Sequence, residues 1–90
     1  MKIYAVCGAG IGTSVLLKSN ADRALQALGL EAEVHAVSVA QAMAADSEAQ
    51  VVLITPELAD EIKGIRSEVI VVNNIFDLAE LGEKLEASLG

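Results

Sequence analysis

The 90-residue chain contains one cysteine, one proline and two aromatic residues, and it has no long apolar run. A lone cysteine cannot form an internal disulfide, which favours a reducing compartment such as the cytoplasm. No run approaches the roughly 20 apolar residues of a membrane span. Only five apolar residues follow Lys2 before the first glycine, so a signal peptide is not expected. Because Tyr4 and Phe76 are the only aromatic residues, the core has to be built from Val, Ile, Leu and Ala.

Cations are also scarce, since six Lys and Arg residues stand against thirteen Asp and Glu residues, for a net charge of −7. This balance argues against a nucleic-acid binder, because phosphate contacts need clustered Lys and Arg. Residues 1–30 nevertheless carry three cations and one carboxylate, a net charge of +2, whereas residues 31–90 carry three cations and twelve carboxylates, a net charge of −9. The charge of the first 30 residues therefore suits a bound anion, although three cations do not establish one.

The apolar pattern alternates between strand-like runs and helix-like stretches. Strands are predicted at 3–6, 31–37, 51–54 and 69–72. Helices are predicted from Gly12 or Thr13 to Leu28, through 39–43, from 56 to about 63, and along a stripe of leucines at 78, 81, 85 and 89. Capping-box pairs at Ser38/Gln41 and Asp77/Glu80, and Gly29 as a C-terminal cap, support these bounds.

Four strands alternating with four helices predict one α/β domain over residues 1–90, with a small doubly wound, flavodoxin-like fold. The expected sheet is parallel, with strand order 2-1-3-4 and helices on both faces in three layers. Ligands of such sheets bind beyond the carboxyl ends of the strands, where the winding reverses. Here that point lies between the first and third strands. Cys7 comes at the end of the first strand, and Thr55, the predicted N-cap before Pro56, comes at the end of the third.

The most informative segment is the run Cys7-Gly8-Ala9-Gly10-Ile11-Gly12-Thr13-Ser14, which joins the first strand to the first helix. Its glycines allow a sharp turn that exposes backbone N–H groups, and the helix start adds further N–H groups and a positive dipole end. A thiol in such a place ionises more easily than a free one. Cys7 is therefore the candidate nucleophile, and Gly8 to Ser14 are the candidate phosphate-binding residues.

Several familiar glycine loops do not fit this register. The dinucleotide fingerprint G-x-G-x-x-G would need glycine where Thr13 stands, and no lysine precedes Thr13 or Ser14 as a nucleotide P-loop requires. One cysteine excludes a Cys-x-x-Cys redox pair. A metal site is not expected, because Cys7 and His35 are the only soft ligands and lie on different predicted strands.

The chain also resembles the low-molecular-weight tyrosine phosphatases, which place a cysteine at the end of the first strand of a small parallel sheet. Their loop is Cys-x5-Arg, whereas the sixth residue after Cys7 is Thr13. The arginine that would stabilise the transition state of hydrolysis is absent, so a phosphatase is disfavoured.

The same eight residues resemble the phosphocysteine loop of the IIB components of the bacterial phosphoenolpyruvate-dependent sugar phosphotransferase system. The form C-G-x-G-x-G-[ST]-S looks most like the ascorbate-type branch within the ascorbate/galactitol group, and the lactose/cellobiose-type IIB proteins share the cysteine loop and a similar fold. The resemblance implies a cytoplasmic carrier without a cofactor. Cys7 would accept a phosphoryl group from a phosphohistidine on a IIA protein and pass it to a sugar, ascorbate-like in this branch, held by a membrane IIC transporter.

The sequence leaves two other functions possible: a non-catalytic module that senses anions, and the phosphatase-like hydrolase. Lys18, one turn beyond Ser14, is expected to be a solvated residue, with a phosphate contact as the alternative. Thr55 is expected to cap the helix that begins at Pro56, with a minor role in the site as the alternative. His35 is assigned no role.

Overall fold

The computed structural model of the protein describes residues 1–6, 11–44, 49–62 and 67–89. Strands and helices alternate along this part of the chain in the predicted order. The strands are β1 (Lys2–Val6), β2 (Glu33–Val37), β3 (Val51–Ile54) and β4 (Glu68–Val71). The helices are α1 (Ile11–Leu28), α2 (Val39–Ala44), α3 (Leu78–Leu89) and a short 3₁₀-helix at Pro56–Leu58.

The four strands form one parallel sheet in the order β2-β1-β3-β4, which confirms the predicted topology. Val6, the last residue of the central strand β1, pairs with Val37 on one side and with Ile54 on the other. The chain leaves β1 for β2 on one side and later returns to β3 on the opposite side. The winding therefore reverses between β1 and β3, as expected.

Alternate residues of the strands face two separate apolar clusters, one on each side of the sheet. Ile3 and Ala5 belong to the cluster under α1 and α3, whereas Tyr4 and Val6 belong to the cluster under α2 and the 3₁₀-helix. Helices thus cover both faces, and the core consists mainly of Val, Ile, Leu and Ala, as the composition requires. Within the described ranges, no helix is both long and apolar enough to cross a membrane.

The predicted caps at Ser38/Gln41 and at Gly29 are confirmed. The backbone N–H of Ser38 donates to Gln41 Oε1 at 2.9 Å, and the N–H of Gln41 donates to Ser38 Oγ at 3.1 Å, which completes a capping box. Gly29 has φ of +70°, a left-handed conformation that glycine adopts without a Cβ clash. Hydrogen bonds from Gly29 to Gln26 and from Leu30 to Leu25 then close α1.

The helix predicted from 56 to about 63 is wrong in type and length. The chain forms a 3₁₀-helix at Pro56–Leu58 followed by turns, with Leu58 donating to the Thr55 carbonyl at 3.0 Å and Glu61 to the Leu58 carbonyl at 2.9 Å. Proline does occupy the first helical position, but Thr55 makes no side-chain capping bond. Along this path Leu58 and Ile62 are buried in the apolar cluster under α2, so tertiary packing overrides the local helix signal. Its predicted end lies outside the described residues.

Candidate functional site

The structure fixes both ends of the segment that contains the candidate nucleophile. Val6 ends β1 as a fully buried residue, and Ile11 begins α1. The predicted nucleophile Cys7 and the cradle residues Gly8, Ala9 and Gly10 lie outside the described residues. Ile11, Gly12, Thr13 and Ser14, the rest of the predicted cradle, form the first turn of α1. The segment therefore connects the carboxyl end of the central strand to a helix N-terminus.

The first turn of α1 contains no acidic residue. The backbone N–H groups of a first turn lack partners within the helix, and the helix dipole makes that end positive. In α3, by contrast, the carboxylate of Glu80 lies in the first turn. The N-terminus of α1 has no carboxylate of its own to offset its positive end, which favours a bound anion there.

Thr55 lies on the neighbouring strand at the same edge of the sheet. Val6 pairs with Ile54, so the next residues along the two strands are Cys7 and Thr55. Thr55 is buried, with an exposed fraction of 6%, and its backbone is extended. The structure thus places a buried hydroxyl-bearing residue at the point where the winding reverses.

The other polar residues considered from the sequence lie in ordinary surface contacts. Lys18 Nζ forms an ion pair with Asp22 Oδ2 at 2.9 Å, and both side chains are more than a third exposed. Such exposed pairs contribute little to stability. His35 is about half exposed on β2, with Nε2 3.7 Å from Glu33 Oε2 and its ring edge-on to Tyr4.

A hydrogen-bonded clamp organises the connection between β4 and α3 at this edge of the sheet. The carboxylate of Glu80 accepts the backbone N–H groups of Asn73 at 2.8 Å and of Asn74 at 2.9 Å. Lys84 Nζ donates to Glu80 Oε2 at 2.7 Å and also to the Val71 carbonyl. We call Glu80, Lys84 and their backbone partners the Glu80 clamp.

Two capping contacts make the same connection more rigid. Asn74 Oδ1 accepts the N–H of Phe76 at 3.0 Å, which identifies Asn74 as a turn residue. Asp77 Oδ1 accepts the N–H of Glu80 at 3.1 Å. Asp77 therefore caps α3 as predicted, but the Glu80 side chain reaches back to Asn73 and Asn74 rather than to the N–H of Asp77.

The Glu80 clamp lowers the pKa of the Glu80 carboxyl from 4.5 to about 2. The hydrogen bond from Lys84 is the main cause, and the N–H groups of Asn73 and Asn74 add to it against the opposing effect of burial. Because the folded pKa lies below the unfolded one, the carboxylate stabilises the fold fully above about pH 4.5. That contribution is lost as the pH falls towards 2.

We expect Glu80→Gln to lower the free energy of unfolding at pH 7 by about 1–2 kcal/mol, since partial exposure of the pair reduces the full linkage value. The variant should also lose part of the wild-type dependence of stability on pH between 4.5 and 2. Urea unfolding across this range measures both effects. Glu83→Gln, an exposed change in the same helix, is the control and should leave both quantities near wild type. Equal effects of the two variants would contradict the clamp.

Residues 2–87 match the family model described as the lactose/cellobiose-specific IIB subunit of the phosphotransferase system (PTS). The protein belongs to this PTS IIB family. The family predicted from the cysteine loop is thereby confirmed.

Relatives of this IIB protein carry two different sugar names. The ascorbate-specific PTS EIIB component of Mycoplasma pneumoniae is 29% identical over 90 residues, covering 99% of this chain and 95% of the relative. That of Escherichia coli O157:H7 is 29% identical over 86 residues, covering 94% and 85%. The structure of the lactose-specific IIB domain from Streptococcus pneumoniae gives a TM-score of 0.67 at 16% identity, covering 99% of this chain and 94% of that one. This likeness shows a shared fold.

The sequence of this IIB protein did not predict the Glu80 clamp. The spacing of Glu80 and Lys84 is visible as an i, i+4 pair on a helix. The sequence does not show that the same carboxylate turns back to two backbone N–H groups after β4, because that contact depends on where α3 packs.

Proposed function

We propose that this IIB protein is a phosphoryl carrier and that Cys7 carries the phosphoryl group. The supporting observation is position: Cys7 follows β1 where the winding reverses and precedes the acid-free first turn of α1. Membership of the PTS IIB family supports the same role, because components of this family work with IIA and IIC partners in sugar phosphotransfer.

In the first transfer, the donor is a phosphohistidine on a IIA protein. The Cys7 thiolate attacks phosphorus in line, a sulfur–phosphorus bond forms, and the phosphorus–nitrogen bond breaks. The electron pair of the broken bond stays on the histidine nitrogen, which takes a proton on the donor's own side. No general acid is therefore needed on this chain for the step.

The phosphocysteine then has to persist until the acceptor arrives. Backbone N–H groups from Gly8 to Ser14 and the dipole of α1 stabilise its negative charge. The hydroxyls of Thr13 and Ser14 can add hydrogen bonds of about 1.5–3 kcal/mol each when the acceptor is charged. Since Thr13 stands where a phosphatase has arginine, the loop holds the group without the residue that would accelerate hydrolysis.

In the second transfer, a hydroxyl oxygen of the sugar attacks phosphorus and the sulfur–phosphorus bond breaks, which restores the thiolate. The hydroxyl proton leaves to a base on the membrane IIC partner, where the sugar is bound. The names of the relatives make ascorbate the first substrate to test, and the description of the family makes lactose or cellobiose the second. On this account the chain acts in the cytoplasm as one domain without a cofactor.

The test is to incubate the protein with phosphoenolpyruvate, the general PTS components and the IIA partner, and to measure its intact mass. We expect the mass of one phosphoryl group to be added per chain and to be removed when IIC membranes and the sugar are supplied. Binding of inorganic phosphate without any adduct would favour an anion-sensing module. Turnover of an aryl phosphate would favour a hydrolase, and either result would contradict the carrier.

A further inference from the structure

Asn20 makes a long-range side-chain contact in the middle of α1. Its Nδ2 donates to the carbonyl oxygen of Ile75 at 2.7 Å, although the two residues are 55 positions apart. Ile75 is buried, with an exposed fraction of 8%, in the apolar cluster under α1 and α3. The bond therefore joins the helix that follows the cysteine segment to the connection between β4 and α3.

The acceptor of this bond belongs to a connection that is fixed in place. The Glu80 clamp holds the two residues just before Ile75. The N–H of Asp77 also donates to the Asn74 carbonyl at 3.0 Å, which closes a turn that contains Ile75. The connection is also tied to the sheet, because the N–H of Val72 donates to the Ile54 carbonyl at 2.7 Å. Asn20 thus attaches α1 to a connection that follows β4 directly and is hydrogen-bonded to β3.

The apolar contacts of α1 are less directional than this hydrogen bond. Among the side chains of α1 that the structure describes, the buried ones are Leu17, Ala21, Ala24 and Leu25. Burial of apolar area is non-directional, and small side chains leave few ridges to resist sliding. A hydrogen bond to a fixed carbonyl is directional, so Asn20 sets the axial position of α1 relative to the sheet edge.

We propose that Asn20 is a positioning residue for phosphoryl transfer. Through its bond to Ile75 it sets the distance between the first-turn N–H groups of α1 and the phosphoryl group on Cys7. The inference rests on the proposed function, because it requires that the phosphoryl group be carried there. Misplacement of a reacting geometry by about 1 Å can cost up to 10²-fold in rate.

The variants are Asn20→Ala, which removes the donor, and Asn20→Asp, which keeps the shape of the side chain and places an acceptor against the Ile75 carbonyl. Ser67→Ala is the matched control. The Ser67 hydroxyl also donates to a backbone carbonyl, that of Ala49, but does so just before β4, at the opposite edge of the sheet. Each of the three variants removes the side-chain-to-backbone bond named above, and only the two Asn20 variants remove it beside α1.

Phosphorylation of Cys7 is followed as a function of IIA concentration, at a temperature where thermal melts show every variant folded. We expect both Asn20 variants to be about tenfold slower at saturating IIA with an unchanged KM, while Ser67→Ala stays within about twofold of wild type. Equal rates for the Asn20 variants and Ser67→Ala would overturn the positioning role. A change in KM alone would also overturn it. Failure of the wild type to accept a phosphoryl group would instead refute the proposed function, and this inference with it.

Discussion

Cys7→Ser should abolish phosphoryl transfer, with the rate of adduct formation falling by at least about 10³-fold. A serine hydroxyl ionises far less readily than a thiol, so the substituted residue presents no appreciable anion to attack phosphohistidine. The helix N-terminus and the backbone cradle remain, but they stabilise a phosphoryl group only once it has been transferred. Intact-mass measurement after incubation with phosphoenolpyruvate, the general components and IIA gives the result directly.

His35→Gln is the control for this experiment, since His35 is the only histidine of the chain and a ring nitrogen of histidine can carry a labile phosphoryl group. It lies on β2 with its side chain about half exposed, so its replacement should leave the fold and the transfer rate near wild type. Wild-type phosphorylation of Cys7→Ser would contradict the central proposal. Loss of phosphorylation in His35→Gln would contradict it equally.

Leu17→Ala should lower the free energy of unfolding by about 2–5 kcal/mol, as expected for a leucine deleted from a packed core. Leu17 is fully buried between α1 and the sheet, in the cluster that also contains Leu81 and Leu85 of α3. A small domain has little stability in reserve, so a loss of this size should be visible as a lower urea midpoint with an unchanged slope.

Leu16→Ala is the matched control, because it makes the same change at the next position of the same helix. Leu16 is 45% exposed, so its truncation removes less buried area and leaves no enclosed cavity. We expect a cost below about 1 kcal/mol. Equal costs for the two variants would show that α1 does not pack on the sheet through Leu17 as described.

Much of the fold follows from local sequence patterns. The continuous apolar run at Val51–Ile54 indicates a strand covered on both faces, and the structure buries all four residues. Ser38 with Gln41 and the glycine at position 29 mark helix ends by chemistry that acts over a few residues, and both were predicted correctly. Parallel strands joined by helices then restrict the topology to few choices.

The errors arise where a local signal competes with packing over longer distances. Thr55 and Pro56 form a good helix start, but the segment makes only a 3₁₀-helix, and Thr55 is buried at the sheet edge without capping it. Nothing in the sequence indicated the backbone partners of Asn20 and Glu80, because the tertiary fold brings those groups near. For Cys7 itself the motif carries the prediction, and the structure contributes the strand and the helix on either side.

The most direct measurement is to locate the phosphoryl group on the wild-type chain under transfer conditions, by fragment mass spectrometry with ³¹P NMR of the intact protein. The account predicts a single sulfur-linked phosphoryl group on Cys7, formed with IIA and discharged when IIC membranes and sugar are added. A phosphoryl group on any other residue, or a chain that stays unmodified beside a competent IIA donor, would contradict it.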